Sequence, residues 1–453
     1  TPGAGDYLVW FSGSLEGDSG GSDQFVSIYL DGVQVPHTER IQSTDGSTPD
    51  TPLPIATGAR LVGVADGQTI EARWRTTAGS ATVWERSLVV QPVDAAESFQ
   101  ASAITDTTTS STSDVLLDSM TTSPGAGEYL AWFSGSVEND SADQTLFASF
   151  YVNGVQVGDS ERRFFNESSI AGSSYVVSLS ARLTGVGAGD AVEVRWRTTG
   201  GTSTMHRRTM VLERISAADS SEVSASATSS TTSTTDVTMA GMSLTPGAGD
   251  YLVWFTASVE GSTESTQQVS LYVNGSQVAS TARRIFTEAS IPDTAFVMAL
   301  QAYLTGVGAS DVVEVRWRTS AGTATVHGRA LTLYRQGSAG ASFSLAEDTS
   351  LDGAVKGSLY RLRLQVSNEG LFGSAGVAYQ LQVAEADNCA TGIYAAVPTD
   401  ASGHWQVADS AFFVDGAPTE NISPGLTDEG TTFVVGALHD ASNTSGAIAL
   451  DVG

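Results

Sequence analysis

At 453 residues the chain is too long for one hydrophobic core and suits about four domains of ordinary size. Acids outnumber bases 50 to 22, the net charge is −28 and Lys356 is the only lysine, which excludes a basic patch for nucleic acid or anionic lipid and fits either a saline habitat or an acidic secreted protein. A single cysteine, Cys389, excludes an internal disulfide framework and a cysteine-based zinc cluster, and no apolar run is long enough for membrane insertion.

The chain opens on Pro2-Gly3-Ala4-Gly5-Asp6-Tyr7-Leu8-Val9-Trp10-Phe11, and this signature returns at Pro124 to Phe133 and Pro246 to Phe255, a period of 122 residues. An interval that long repeats whole domains, not solenoid units. The Pro-Gly turn leads into a strand with Leu8 and Trp10 on one face and Tyr7, Val9 and Phe11 on the other. Both faces are apolar. Either the strand is the two-sided core of one sandwich, or its outer face is covered by a neighbouring module or chain.

In the next loop, Gly17-Asp18-Ser19-Gly20-Gly21 matches the nucleophile sequence of chymotrypsin-like proteases. The corresponding loops read Glu138-Asn139-Asp140-Ser141 and Gly261-Ser262-Thr263, and His37 has no triad context, so the motif reads as hairpin-loop chemistry and no catalytic residue is assigned. These loops gather Glu16, Asp18 and Asp23, then Glu138, Asp140 and Asp143, then Glu260 and Glu264. Hard oxygen ligands at such spacing make them calcium candidates, set against the plainer reading of solvated acidic loops; no other cofactor is expected. His37, His206, His327, His404 and His439 fall singly on different segments, a pattern that does not build a shared metal site.

Phe25 to Leu30 and Val33 to Val35 flank Asp31-Gly32, a two-residue hairpin signal repeated as Asn153-Gly154 and Asn274-Gly275. After a variable polar segment comes Ala59 to Val64, then the strand Ile70 to Thr76, repeated as Glu193-Val194-Arg195-Trp196-Arg197 and Glu314-Val315-Arg316-Trp317-Arg318. The alternation predicts Trp74, Trp196 and Trp317 buried with the arginines outward. Arginine forks there suit carboxylated or sulfated glycans, but Glu71, Glu193 and Glu314 share their face and can neutralise them. Strands at Ser87 to Val90, Thr209 to Leu212 and Ala330 to Leu333 end the copies, and the Ser/Thr-rich leaders Phe99 to Thr122 and Val223 to Leu244 are assigned to the module that follows each.

The succession Gly127-Glu128-Tyr129-Leu130, Tyr151 to Gly154, and Leu183 to Trp196 resembles the tumour-necrosis-factor and complement globular-head jelly rolls, through about residue 335. That resemblance implies ten-stranded, two-sheet sandwiches that trimerise through the aromatic strand, with one such domain per chain. The last segment departs from the repeat. Leu359 to Val366, Tyr379 to Val383 and Thr432 to Val435 alternate as short strands between Gly/Asn/Asp turns.

The fold expected is all-β: three tandem jelly-roll-like sandwiches (1–94, 95–216, 217–336) followed by an immunoglobulin-like sandwich (337–453). Asn139, Asn166, Asn274, Asn421 and Asn443 head sequons and are candidate glycosylation sites. The first copy begins at Thr1, aligned with Thr245, without the leader strand of the other two. Its sandwich is therefore expected to present an open edge beside Tyr7, Val9 and Phe11, filled either by residues preceding Thr1 or by a neighbouring chain's terminal strand through Ile448 and Leu450. These features point to a non-enzymatic extracellular or cell-surface structural protein, a fibre or filament subunit whose partner is itself. The alternative is a secreted or phage-borne adhesin whose partner is a glycan.

Overall fold

The computed structural model describes residues 1–46 and 48–336, and beyond them 360–364, 366, 373, 376–386, 391–400, 402–408, 415–416, 419 and 436–447. The chain divides into two compact units, Thr1–Gln336 and Gly337–Gly453. In the second, the described residues hold one strand pair, Gln382–Val383 with Ala395–Ala396, and a bridge between Gln380 and Thr444. Residues 360–364 are described and are not in a strand, whereas 432–435 and Cys389 lie outside the described residues, so an immunoglobulin-like sandwich rests on sequence alone.

The first unit contains three jelly-roll-like β-sandwiches. In each, the signature strand (Gly5–Gly17, Gly127–Asn139, Gly249–Gly261) is the centre of one antiparallel sheet. It lies between a twelve-residue strand (Leu53–Val64, Tyr175–Val186, Phe296–Val307) and a thirteen-residue strand (Ala81–Val93, Ser203–Ile215, Ala324–Gln336). The facing sheet is built on the hairpin strands Ser22–Leu30, Gln144–Val152 and Ser265–Val273. Their turns are of the type the sequence requires, with φ of 48° and 77° at Asp31-Gly32, 49° and 78° at Asn153-Gly154, and 49° and 77° at Asn274-Gly275. Asn and Asp tolerate that region, and glycine enters it without strain.

The tryptophan strand (Ile70–Thr76, Val192–Thr198, Val313–Thr319) pairs with that hairpin strand. The leaders of the second and third modules pair with both sheets. Ser98–Ala103 and Thr107–Thr109 join Ser203–Ile215, while Val115–Thr122 joins Val192–Thr198. In the third module Ser220–Ala225, Ser229–Thr231 and Val237–Leu244 take the same places. Leu117, Met120, Met239 and Met242 enter the core with no exposed surface.

The expectation for the tryptophans is met in two copies and overturned in the third. Trp196 and Trp317 are 1% and 2% exposed, but Trp74 is 52% exposed. The cause is not the strand's own alternation, which is the same in all three, but the lack of a leader strand beside it among the described residues. Trp196→Ala should therefore cost about 3–5 kcal/mol of unfolding free energy and Trp74→Ala less than about 0.5 kcal/mol. Urea titration of the two variants checks this, and equal losses would contradict the difference in burial.

Candidate assembly interface

The two faces of the signature strand go to different places. Tyr7, Val9 and Phe11 point into the first sandwich, against Ile28, Leu61, Val26 and Ile55. Leu8 and Trp10 point out of it and meet Leu130, Trp132, Leu252 and Trp254 in one buried cluster. Trp10 and Trp254 pack edge to face, their ring centroids 5.2 Å apart. The outer faces of all three signature strands are thus covered by one another. Gly58 is needed here, since a Cβ on it would lie 2.8 Å from the Trp132 ring and 2.9 Å from that of Trp10.

Around this cluster run three seams, each made by the same contacts. At the first, Arg40 Nε donates to Ser134 Oγ (2.8 Å) and Nη2 to the Ser134 carbonyl (2.9 Å). At the second, Arg162 Nη2 donates to Thr256 Oγ1 (2.9 Å). At the third, Arg283 Nη2 donates to Ser12 Oγ (2.8 Å) and Ser87 Oγ (2.7 Å), returning to the first module. The next backbone amide repeats the pattern: Ile41 to Ser136 Oγ, Arg163 to Ser258 Oγ and Arg284 to Ser14 Oγ, at 2.7, 2.8 and 2.8 Å. Backbone bonds continue each seam, from Ser43 N to the Ser174 carbonyl, Phe165 N to Ala295 and Phe286 N to Pro52. First to second, second to third and third to first, these head-to-tail contacts close a ring inside one chain.

All three arginines are fully buried, and burial pulls each guanidinium down to about 9. Their remaining donors go to carbonyls of their own turns: His37 and Glu39 for Arg40, Asp159 and Glu161 for Arg162, Ser280 and Ala282 for Arg283. Sequence reading missed these residues because they lie in the segment read as variable and polar. Their recurrence one repeat apart, opposite Ser/Thr positions that recur likewise, is the signal that marks them.

One position in the ring carries three different residues. Beside Leu8, Leu130 and Leu252 on the adjacent strand lie Gln91, Glu213 and Tyr334. Gln91 Nε2 donates to Glu213 Oε1 (2.5 Å), and burial pushes the Glu213 carboxyl up to about 8. Tyr334 is raised by burial and by the nearby Glu213.

The acids read as calcium candidates serve the loops. Asp18 Oδ1 accepts from Ser80 N (2.7 Å) and Asp140 Oδ1 from Thr202 N (2.7 Å), and the third copy uses Ser262 Oγ on Thr323 N (2.9 Å). Glu16 accepts from the Trp84 indole, Asp23 from Ser43, and Glu138 from Ser174 and His206, while Asp143 sits at a turn with φ of 57°. Among the described residues no group of three or more His, Cys, Asp or Glu is arranged to hold a metal ion. His37 is half-buried beside Arg40, and desolvation and that charge lower it to about 4. Ser19 lies in the strand-to-strand loop, where its carbonyl accepts from Ser22. The glutamates of the tryptophan strands pair with their arginines, Glu71 with Arg73, Glu193 with Arg195 and Glu314 with Arg316.

The sequons are corrected in part. Asn139 and Asn166 are 1% and 0% exposed and spend their amides on Thr198, Ser203 and Gly200, and on Ser141 and Asn139. Neither amide nitrogen is open to a glycan in the folded chain. Asn274 is exposed in its hairpin turn, and Asn443 donates to the Val397 carbonyl. Asn421, Ile448 and Leu450 lie outside the described residues.

No family model matches the sequence, and no curated protein matches it. Among solved structures, the chain is similar to one from the triple jelly roll fold and turret assembly of an archaeal virus, at 11% identity and a TM-score of 0.20 over 73% of this chain and 80% of that one. It is similar at 8% identity to the infectious bursal disease virus VP2 subviral particle, TM-score 0.21, over 74% and 73% of the two chains. At 10% identity and a TM-score of 0.17, over 74% of this chain and 54% of that one, it is similar to an insecticidal delta-endotoxin of Bacillus thuringiensis. Likenesses of this size carry no function across.

Two tests follow from the ring. Arg162→Ala removes a buried fork and leaves Thr256 facing a cavity, so it should lower unfolding free energy by about 2–4 kcal/mol; a change within about 0.5 kcal/mol in urea titration would contradict the seam. The Glu213 effect has a defined sign. The folded carboxyl holds its proton up to about 8 and the unfolded one releases it near 4.5, so stability falls as pH rises between those values and levels off above. The loss is on the order of 4–5 kcal/mol at most. Glu213→Gln should flatten that slope, as read by denaturation midpoints at acidic, neutral and alkaline pH, and an unchanged slope would contradict the assignment.

Proposed function

We propose that the chain is a non-enzymatic extracellular structural protein, a subunit of a surface fibre or filament joined head to tail by strand donation. Its first unit is then a single-chain counterpart of the trimeric heads of tumour-necrosis-factor and complement proteins. The observation that carries this reading is the closed ring: the aromatic strands through which those jelly rolls trimerise here meet within one chain. With the lateral surface consumed internally, growth has to use another surface. The first module offers one, because the outer edges of Ile70–Thr76 and Ala81–Val93 pair with no strand among the described residues.

The divisions at 94, 216 and 336, an immunoglobulin-like last domain and self-association as the main partnership belong to the same proposal. Glycans on Asn274, and calcium in the acidic loops, are secondary features of it. An adhesin is the second reading, favoured by Trp74 and Trp84, which are 52% and 38% exposed on the first module. Exposed indoles beside arginines suit stacking on sugar rings.

Electron microscopy and sedimentation of the purified full-length chain separate the two. Linear assemblies that lengthen with concentration are expected. Monomers at all concentrations, together with glycan binding lost on Trp84→Ala, would replace the filament by the adhesin.

A further inference from the structure

At the rim of the axial cluster, the first and second modules are joined by a polar pair that is only half satisfied as a carboxylate and an amide. Gln91 and Glu213 are 4% and 7% exposed, and one bond connects them, from Gln91 Nε2 to Glu213 Oε1 at 2.5 Å. The second polar atom of each, Gln91 Oε1 and Glu213 Oε2, is buried with no hydrogen-bond partner among the described residues. An amide oxygen can only accept, so an ionised carboxylate oxygen offers it nothing. The hydroxyl of a carboxylic acid does.

We infer that Glu213 holds a proton on Oε2 and donates it to Gln91 Oε1, so that acid and amide form a cyclic pair latching the first module to the second, and that loss of this proton opens that end of the ring axis while the sandwiches stay folded. One proton then satisfies both remaining atoms without any further group. Ionised, the pair is a buried charge held by a single donor, with two lone-pair oxygens left over.

The surroundings offer that charge no other relief. Glu213 lies between Leu130 and Ser98 on its neighbouring strands, and Gln91 lies beside Leu8. Among the described residues no arginine or histidine pairs with Glu213; Arg214, the next residue, pairs with Glu97. Tyr334 is the titratable group that faces it from the third module. Burial, then the charges of Glu213 and Asp219, hold that phenol well above its ordinary value, so it keeps its proton throughout. Burial likewise pushes the Glu213 carboxyl up to about 8, in keeping with a proton retained at neutral pH.

The opening is local because of where the pair sits. Gln91 and Glu213 are each two residues from the end of their strands, Ala81–Val93 and Ser203–Ile215. Leu212, beside Glu213 in sequence, belongs to the sandwich interior, whereas Leu8 and Leu130 belong to the axial cluster. Water reaches the pair when two strand ends part, with neither sandwich core exposed. The inference rests on the ring alone and is independent of whether the chain forms filaments.

Two measurements on the full-length chain test it, beside Glu213→Gln, whose amide keeps a donor for Gln91, and Gln91→Leu, which removes both partners. The first is difference infrared spectroscopy. A carbonyl band of a protonated carboxyl group is expected at neutral pH, absent from Glu213→Gln, shifted by Gln91→Leu and lost as pH rises through about 8. The second is hydrogen exchange at 89–93 and 211–215, corrected for the intrinsic pH dependence of exchange. The closed carboxyl keeps its proton up to about 8 and the opened one releases it near 4.5, so the opening constant should rise about tenfold per pH unit between those values and level off above. Glu213→Gln should remove that rise.

A spectrum with no Glu213-dependent acid band at neutral pH overturns the inference, since the carboxyl is then ionised in place. A band that Gln91→Leu leaves unshifted also overturns it, the proton then going elsewhere. An equal rise in exchange in Glu213→Gln removes the latch. Protection lost in step at 128–137 and 175–183 would show the whole module unfolding and overturn the local opening.

Discussion

A buried guanidinium whose hydrogen-bond partners are hydroxyls and carbonyls, with no carboxylate among them, is the interaction on which the rest of the first unit depends. Arg40, Arg162 and Arg283 are each fully removed from water, and each spends its donors on carbonyls of its own turn and hydroxyls of the next module. Desolvating a cation costs several kcal/mol, and the cost is met only if every direction of the fork has a partner. A lysine would present three donors from a point and could not span the same set. The geometry therefore fixes how each module sits on the next. Each gives an arginine forward and hydroxyls backward, and with the rotation this contact sets between modules the third returns to the first.

The hydroxyls explain a feature of the signature strand that its apolar start conceals. Past Phe11 the strand continues as Ser12-Gly13-Ser14, and in the other copies as Ser134-Gly135-Ser136 and Thr256-Ala257-Ser258. In an isolated sandwich such residues read as a solvated end. Here Ser12, Ser14, Ser134, Ser136, Thr256 and Ser258 are 0–1% exposed and accept the neighbour's arginine and amide. Small polar side chains let the strand of the neighbouring module approach while giving its edge a partner, which larger polar residues at those positions would prevent.

Local pattern in the sequence carried the hairpins, the signature strands, the all-β class and the three-fold repeat, because each depends on spacing along one strand or on the backbone needs of one turn. Burial that depends on a distant strand was not legible in that way. Trp74 alternates as Trp196 does, and only the leader decides which of them is covered. The face expected to carry assembly, Tyr7, Val9 and Phe11, is interior, and its opposite, Leu8 and Trp10, meets the other modules. Two apolar faces were visible in the residues; which one belonged to the sandwich depended on the partner sheet. The sequons failed for a related reason: Asn139 and Asn166 look like loop residues and are buried because their amides tie the loop ends together.

Joining three modules in one chain also changes what the centre of the ring can contain. In a homotrimer any residue near the axis occurs three times, so a carboxylate there brings two like charges with it. In this chain the position beside the central leucines holds Gln91, Glu213 and Tyr334, and a single buried carboxyl faces an amide instead of its own copies. The position opposite the central tryptophans has diverged as well, to Gly58, Ser180 and Gln301. Glycine at the first admits the rings of Trp10 and Trp132, and a longer side chain there would push them apart. Three identical glycines would leave space unfilled, and three glutamines would overfill it. Unequal residues at equivalent positions let one irregular centre be packed by three regular sandwiches, an arrangement closed to a homotrimer.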